Sequence, residues 1–244
     1  APIIADQLAF RLSGQAWKST KDIDYVDPAL ADLGKDEFNE IRGKLLFTPE
    51  ALPGFTGLFT VSRTHDKPAW GLVSGPDFFA RRFADTDLTT AEFRDTYVNR
   101  YIADLTYEIT PDWTVKSVTS FVDTDMTITT PDSSLLIRDD SREGKDFSHD
   151  MRLTYESADS PFSGVFGIFA GRFTSDLNSD MQLKLDGFGM PGVVIPYQML
   201  DAKNKTESVG AYADARYKVA ERWTAKAGGR LLRFQLGARF GGPL

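Results

Sequence analysis

The sequence predicts an all-β chain: an antiparallel up-and-down transmembrane β-barrel segment of about nine to ten strands. Three observations predict it. Apolar and polar residues alternate with a period of two over stretches of about ten residues, and the helical period is weak. Short connections alternate with long ones along the chain. An aromatic followed by Thr or Ser opens the segment after each short connection: Phe55-Thr56, Trp113-Thr114, Phe162-Ser163 and Trp223-Thr224.

Nine candidate strands follow in order. From Gln7, Leu8, Phe10, Leu12, Gly14 and Ala16 share one face, with Arg11, Ser13 and Gln15 on the other. About Phe38–Phe47, Ile41, Gly43, Leu45 and Phe47 oppose Glu40, Arg42 and Lys44. From Phe55, Gly57, Phe59 and Val61 oppose Thr56, Thr60 and Ser62. About Tyr97–Ile109, Tyr97, Tyr101, Ala103, Leu105 and Tyr107 oppose Arg100, Asp104, Thr106 and Glu108. Trp113 to about Val122 carries small polar residues on both faces, so its phase stays open. About Phe147–Tyr155, Met151, Leu153 and Tyr155 oppose Asp150, Arg152 and Thr154. Phe162, Gly164, Phe166, Ile168 and Ala170 share the seventh face. Val209, Ala211, Ala213, Ala215 and Tyr217 face away from Ser208, Asp214 and Arg216. In the last, Trp223, Ala225, Ala227 and Leu231 oppose Thr224, Lys226 and Arg230.

The connections decide between architectures. Thr48–Gly54, Thr110–Asp112, Ser157–Pro161 and Lys218–Arg222 are short. About Lys18–Glu37, Thr64–Thr96, Asp123–Asp146 and Thr174–Lys205 are long. A compact soluble domain rarely holds several structureless loops of that length. A membrane barrel has short periplasmic turns, long extracellular loops and strands of ~9–11 residues. At the membrane–water interface a ring keeps its body in lipid and its polar edge near headgroups. Phe55, Trp113, Phe162 and Trp223 are therefore the candidate interface girdle.

Composition narrows the function. The 244 residues are 41% hydrophobic and 12% aromatic, with net charge −7 and no cysteine. No basic block marks a nucleic-acid surface, and thiolate metal sites and disulfides are excluded. No apolar run approaches the ~18 residues of a spanning helix. The start, "APIIADQLAF", carries no initiator Met or secretory n-region, as in a mature, truncated or excised chain.

Little points to catalysis or a cofactor. His65 and His149 lie far apart and read as rim or strand-end residues. Asp139–Asp140 and Asp123–Asp125 lack the liganding spacing of a Ca²⁺ loop and read as solvated loop. "GFGMPG" (Gly187–Gly192) falls inside a long loop, not between a strand and a helix, so it is no dinucleotide fingerprint. "NKT" at Asn204–Thr206 matches a glycosylation acceptor in form only. The remaining candidates are lumen-facing charges, Arg11, Arg42, Lys44, Arg100, Asp104, Arg152, Lys226 and Arg230, and loop aromatics for a ligand vestibule, Trp70, Phe78, Phe79 and Tyr197.

"KLLFTPEALPGFTGLFTVSRTHD", "DLTYEITPDWTVKSVTSFVDTD", "GKDFSHDMRLTY" and "ESVGAYADARYKVAERWTAKAGGRLLR" together resemble barrel segments of TonB-dependent outer-membrane receptors. The resemblance runs from about Gln7 to Arg233 and rests on the order of the phrases. It implies part of a larger barrel of about 22 strands with a plugged lumen. Neither a plug domain nor a TonB-contacting box is seen, and "ARFGGPL" lacks a terminal aromatic, so a fragment is expected. The implied function is active uptake of a ferric siderophore or another scarce solute, with no reaction catalysed. The implied partners are the TonB-ExbB-ExbD energy-transducing system, outer-membrane lipid and the small-molecule ligand. Two other readings stay open: a small outer-membrane pore or adhesin barrel, and a soluble β-rich carbohydrate-binding module whose faces would pack as two layers.

Overall fold

The computed structural model describes residues 2–70, 78–83, 91–131 and 134–241. Its strands are β1 (Pro2–Ile4), β2 (Leu8–Thr20), β3 (Asp24–Tyr25), β4 (Lys35–Phe47), β5 (Phe55–Lys67), β6 (Arg82–Phe83), β7 (Phe93–Thr110), β8 (Trp113–Thr129), β9 (Leu136–Glu156), β10 (Phe162–Lys184), β11 (Val194–Ala220) and β12 (Trp223–Gly241). Ten of them form one antiparallel sheet in the order β1-β2-β4-β5-β7-β8-β9-β10-β11-β12, each hydrogen-bonded to its neighbours in sequence. The remaining two, β3 and β6, make a parallel two-residue pairing outside it. No second sheet packs over the first among the described residues. The two-layer soluble reading is thereby corrected.

The alternation places two chemically different faces. Register puts Leu12, Gly43, Val61, Tyr101, Phe121 and Phe147 in one continuous cross-strand row. Trp113, Val115, Ser117, Thr119 and Phe121 join this apolar face, which settles the phase of β8. Large apolar residues here are open: Leu12 is 65% exposed, Val61 52% and Phe166 53%. In water that surface would be an aggregation liability. Over this stretch the opposite face carries most of the charges.

Short connections gather at one end, at 48–54, 111–112, 157–161 and 221–222. Gly54 turns the first of them with φ +82°, and its carbonyl accepts the Glu108 N–H at 3.0 Å. A Cβ there would meet the Glu108 carbonyl oxygen at 2.9 Å. Rings line this end of the apolar face. Phe47 and Phe55 lie 6.2 Å apart, Trp113 and Tyr155 4.8 Å, Tyr155 and Phe162 5.9 Å. Phe162 stands opposite Tyr217 across the β10–β11 ladder. Three of the four expected rings, Phe55, Trp113 and Phe162, thus stand beside rings of neighbouring strands, Phe47, Tyr155 and Tyr217, which the residues after the turns did not reveal.

The other end departs from expectation. Strands of about ten residues were expected, yet β9, β10 and β11 run 21, 23 and 27 residues. The expected loops Asp123–Asp146 and Thr174–Lys205 are mostly ladder, with connections of only 130–135 and 185–193. Beyond lipid neither face needs to be apolar, so alternation stops while backbone hydrogen bonding continues. His65, Asp123–Asp125, Asp139–Asp140 and Tyr197 therefore lie on strands, and Asp140 is buried rather than solvated. Tyr197 is the extra residue at a bulge between the Met181–Gln198 and Gln182–Pro196 pairs. Outside the β3–β6 pairing, residues 21–34 and the described parts of 68–92 do hold non-ladder structure. Leu30, Leu33, Phe83 and Ala91 form a buried apolar cluster there, flanked by Ile23, Tyr25, Trp70 and Phe93.

Candidate functional site on the polar face

The polar face is assembled by register. Arg11 stands opposite Lys44, and Ser13 opposite Arg42. Further along, Lys116 stands opposite Arg152 and Arg216 opposite Lys226. By the same alternation Arg100, Asp104 and Arg230 share this face. All eight residues selected from the sequence lie on it.

Pairing divides them into two groups. Arg42 is bound by Glu40, Asp104 by Lys116 at 3.0 Å, and Arg152 by Asp150 at 2.9 Å. Among the described residues Arg11, Lys44, Arg100, Arg216, Lys226 and Arg230 make no ion pair. Two like-charge pairs, Arg11 with Lys44 and Arg216 with Lys226, sit directly across a ladder, an arrangement that is unfavourable on its own. The wall therefore carries cations outside any ion pair, with Glu156 and Asp214 lining the same surface as Arg216 and Lys226.

The densest part is a depression of about 660 Å³ over β9–β12, lined by Asp150, Arg152, Phe169, Phe173, Tyr212, Arg230 and Phe234 among others. The Tyr212 hydroxyl donates to Asp150 at 3.0 Å, and the Arg230 guanidinium lies 5.6 Å from the Tyr212 ring centroid. Gly167 permits this, since a Cβ there would stand 2.2 Å from the Tyr212 ring. Cation, ring and acceptor together can hold a planar, anionic or polyhydroxylated group. Lys116, Asp150, Tyr212 and Arg216 were missed from sequence. Lys116 lies on the strand of open phase, whereas Asp150 and Arg216 already stood in the polar rows.

The other candidates scatter. Trp70 packs edge-on against Phe83 at 5.7 Å, within the loop cluster. Phe79 is 90% exposed and Tyr197 63%. The Phe78 side chain lies outside the described residues. His65 binds Asp95 at 2.7 Å and stacks on Tyr97. His149 meets the Thr119 hydroxyl at 2.9 Å on the apolar face.

The family model for the TonB dependent receptor-like beta-barrel matches residues 38–242. The chain belongs to this family. It is a family of receptors rather than enzymes. Among solved structures, the chain is similar to the ferric yersiniabactin uptake receptor FyuA from Yersinia pestis, with TM-score 0.77 and 17% identity, over 97% of this chain and 40% of that one. It is also similar to the ferric citrate transporter FecA, with TM-score 0.71 and 11% identity, over 97% of this chain and 34% of that one. The ferripyoverdine receptor of the outer membrane of Pseudomonas aeruginosa gives 0.66 and 14%, over 98% and 36%. The chain thus spans well under half the length of these receptors, and at such identities the likeness is one of fold.

Proposed function

We propose that the chain is part of the barrel of an outer-membrane TonB-dependent receptor that takes up a siderophore-like or other scarce solute. One observation carries the membrane reading. Outward residues stay free of charge for ten residues from the short-turn end on strand after strand: Leu8 to Lys18, Phe47 to Glu37, Trp113 to Asp123, Tyr155 to Lys145, Phe162 to Arg172, Tyr217 to Glu207 and Trp223 to Arg233. Ten residues span about 33 Å at ~3.3 Å each, or roughly 25 Å once tilted by ~40°, the height of a barrel's apolar band. Phe55, Trp113, Phe162 and Trp223 are then the periplasmic girdle, and the charged face is the lumen. Sheet edges at β1 and β12 are intolerable in lipid, so each pairs with a further barrel strand.

Uptake is the family's activity, energised by TonB with ExbB and ExbD. Its siderophore class is supported by the three neighbours of like fold, all named for ferric ligands. The Tyr212–Arg230 depression suits an anionic ferric complex or an acidic plug segment. The test is disruption of the gene in its host, followed by uptake of a panel of radiolabelled ferric siderophores with and without a proton uncoupler. Loss of one uncoupler-sensitive uptake is expected. Unchanged uptake across the panel would sink the siderophore reading, and recovery of the protein in the soluble fraction would sink the barrel.

A further inference from the structure

We propose that the outward patch around His149 is a contact between two copies of the receptor, closed by hydrogen bonds near the middle of the membrane. The inference rests on the membrane reading just given. Count along each long strand from its outward residue at the short-turn end. The outward positions two, four and six residues further in are apolar, aromatic or glycine, with three exceptions. These are Ser117, Thr119 and His149, and they are neighbours. Thr119 stands opposite His149 across the β8–β9 ladder, and Ser117 is the outward residue of β8 just before Thr119. His149 lies six residues from Tyr155. That is about 20 Å along the strand and ~15 Å in height at a tilt of ~40°, near the middle of the apolar band.

An imidazole at that depth is half satisfied. Its Nδ1 and the Thr119 hydroxyl share a hydrogen bond of 2.9 Å, while Nε2 has no partner among the described residues. Hydrocarbon offers none, and an unmatched polar group there is costly. Register holds the ring outward, because a slip of one residue would turn over every side chain of β9. Ala103 and Ala170 flank the Thr119–His149 pair on the same cross-strand row. The adjacent row carries Tyr101, Phe121 and Phe147. The patch is thus a recess below a ridge of rings, and small residues at such a place let two backbones approach. Depth then selects the occupant. Copies of a barrel share one orientation in the membrane, so a neighbouring copy meets the patch at equal depth. There the rest of the described outward surface offers no hydrogen-bonding side chain except Tyr101. A two-fold axis along the membrane normal sets each His149 against the partner's Ser117 and Thr119, an isologous contact that matches both orphan nitrogens at once.

The test uses the full-length receptor in the outer membrane of its host. On mild oxidation Ser117→Cys gives a disulfide-linked dimer. Leu12→Cys does not, although it sits on β2 at the same depth, each being four residues from the short-turn end of its strand. The receptor is then moved into lipid bilayers, where single-molecule photobleaching counts copies as a function of dilution. His149→Leu weakens dimerisation about eight-fold, the loss of two hydrogen bonds of the usual membrane strength. It leaves the urea stability of the monomer undiminished, because lipid accepts leucine more readily than imidazole. A wild-type receptor that stays monomeric, equal cross-linking from the two cysteine variants, or undiminished dimerisation of His149→Leu overturns the proposal. So does a Ser117→Cys cross-link to a different protein. Should His149→Leu fail to reach the membrane, the cysteine variants decide. Absence of the wild-type protein from the outer membrane would refute the barrel reading instead, a separate outcome.

Discussion

The connections and the strands obey opposite burial rules. At 21–34 and 78–83, Leu33 and Phe83 are 1% and 2% exposed, as in any water-soluble core. A few residues away along the sheet, side chains of the same kind stand open. The two regions have the same chemistry and different solvents. Where water surrounds the chain, apolar groups must find one another, and irregular backbone is stapled by Asp24 N–H to the Arg81 carbonyl and Val26 N–H to the Phe83 carbonyl. Where lipid surrounds it, apolar groups need no partner, but every backbone group must pair, and the ladder supplies that.

Phe83→Ala gives the largest effect expected on the water side. It removes the ring that Tyr25 and Trp70 both contact, each at 5.7 Å, and costs about 3–5 kcal/mol. Because the ladder does not depend on the cluster, the loss stays local. The Asp24 and Val26 amides exchange faster, while amides in β8 and β9 are unchanged. Exchange that rises equally in both places would show that loops and sheet form one cooperative unit.

On the lipid side, Val61→Arg is expected to destabilise the protein in lipid vesicles by about 2–4 kcal/mol, read by urea titration. Thr60→Arg, one residue away on the polar face, is expected to cost almost nothing. Equal penalties would mean that both faces meet the same medium, and the orientation of the sheet would be lost.

The same difference in solvent explains what the sequence could reveal. Lipid imposes alternation residue by residue, so the apolar rows of β2, β5 and β10, and the eight selected charges opposite them, could be read directly. Outside lipid the signal disappears. Beyond Asp123 the outward face of β8 turns polar with Asp125 and Thr127 while Met126 and Ile128 stand on the other, so the alternation inverts as the ladder continues on backbone pairing. The buried Asp140, bound by the Ser179 hydroxyl at 2.5 Å and by Arg138, which also reaches Glu92 at 3.2 Å, joins residues 46 or fewer positions apart with no period to announce them. The loop cluster was equally hidden. Leu30 and Phe83 are neighbours only through a two-residue parallel pairing, too short to leave a pattern.

The smallest prediction tests how water-like the loop cluster is. The Tyr25 hydroxyl is buried there with no hydrogen-bond partner among the described residues, a cost to the cluster. Burial also raises its pKa, because the phenolate is worse solvated there than the phenol. With the folded value above the unfolded one near 10, the contribution is complete below that pH and is lost as pH rises through the folded value. Tyr25→Phe should therefore stabilise the cluster at neutral pH by up to about 1 kcal/mol, seen as slower exchange of the Asp24 amide. It should also remove the late-titrating step from the phenolate absorbance curve. A variant that exchanges faster than wild type would mean that water reaches the hydroxyl, and that the cluster is less dry than its packing implies.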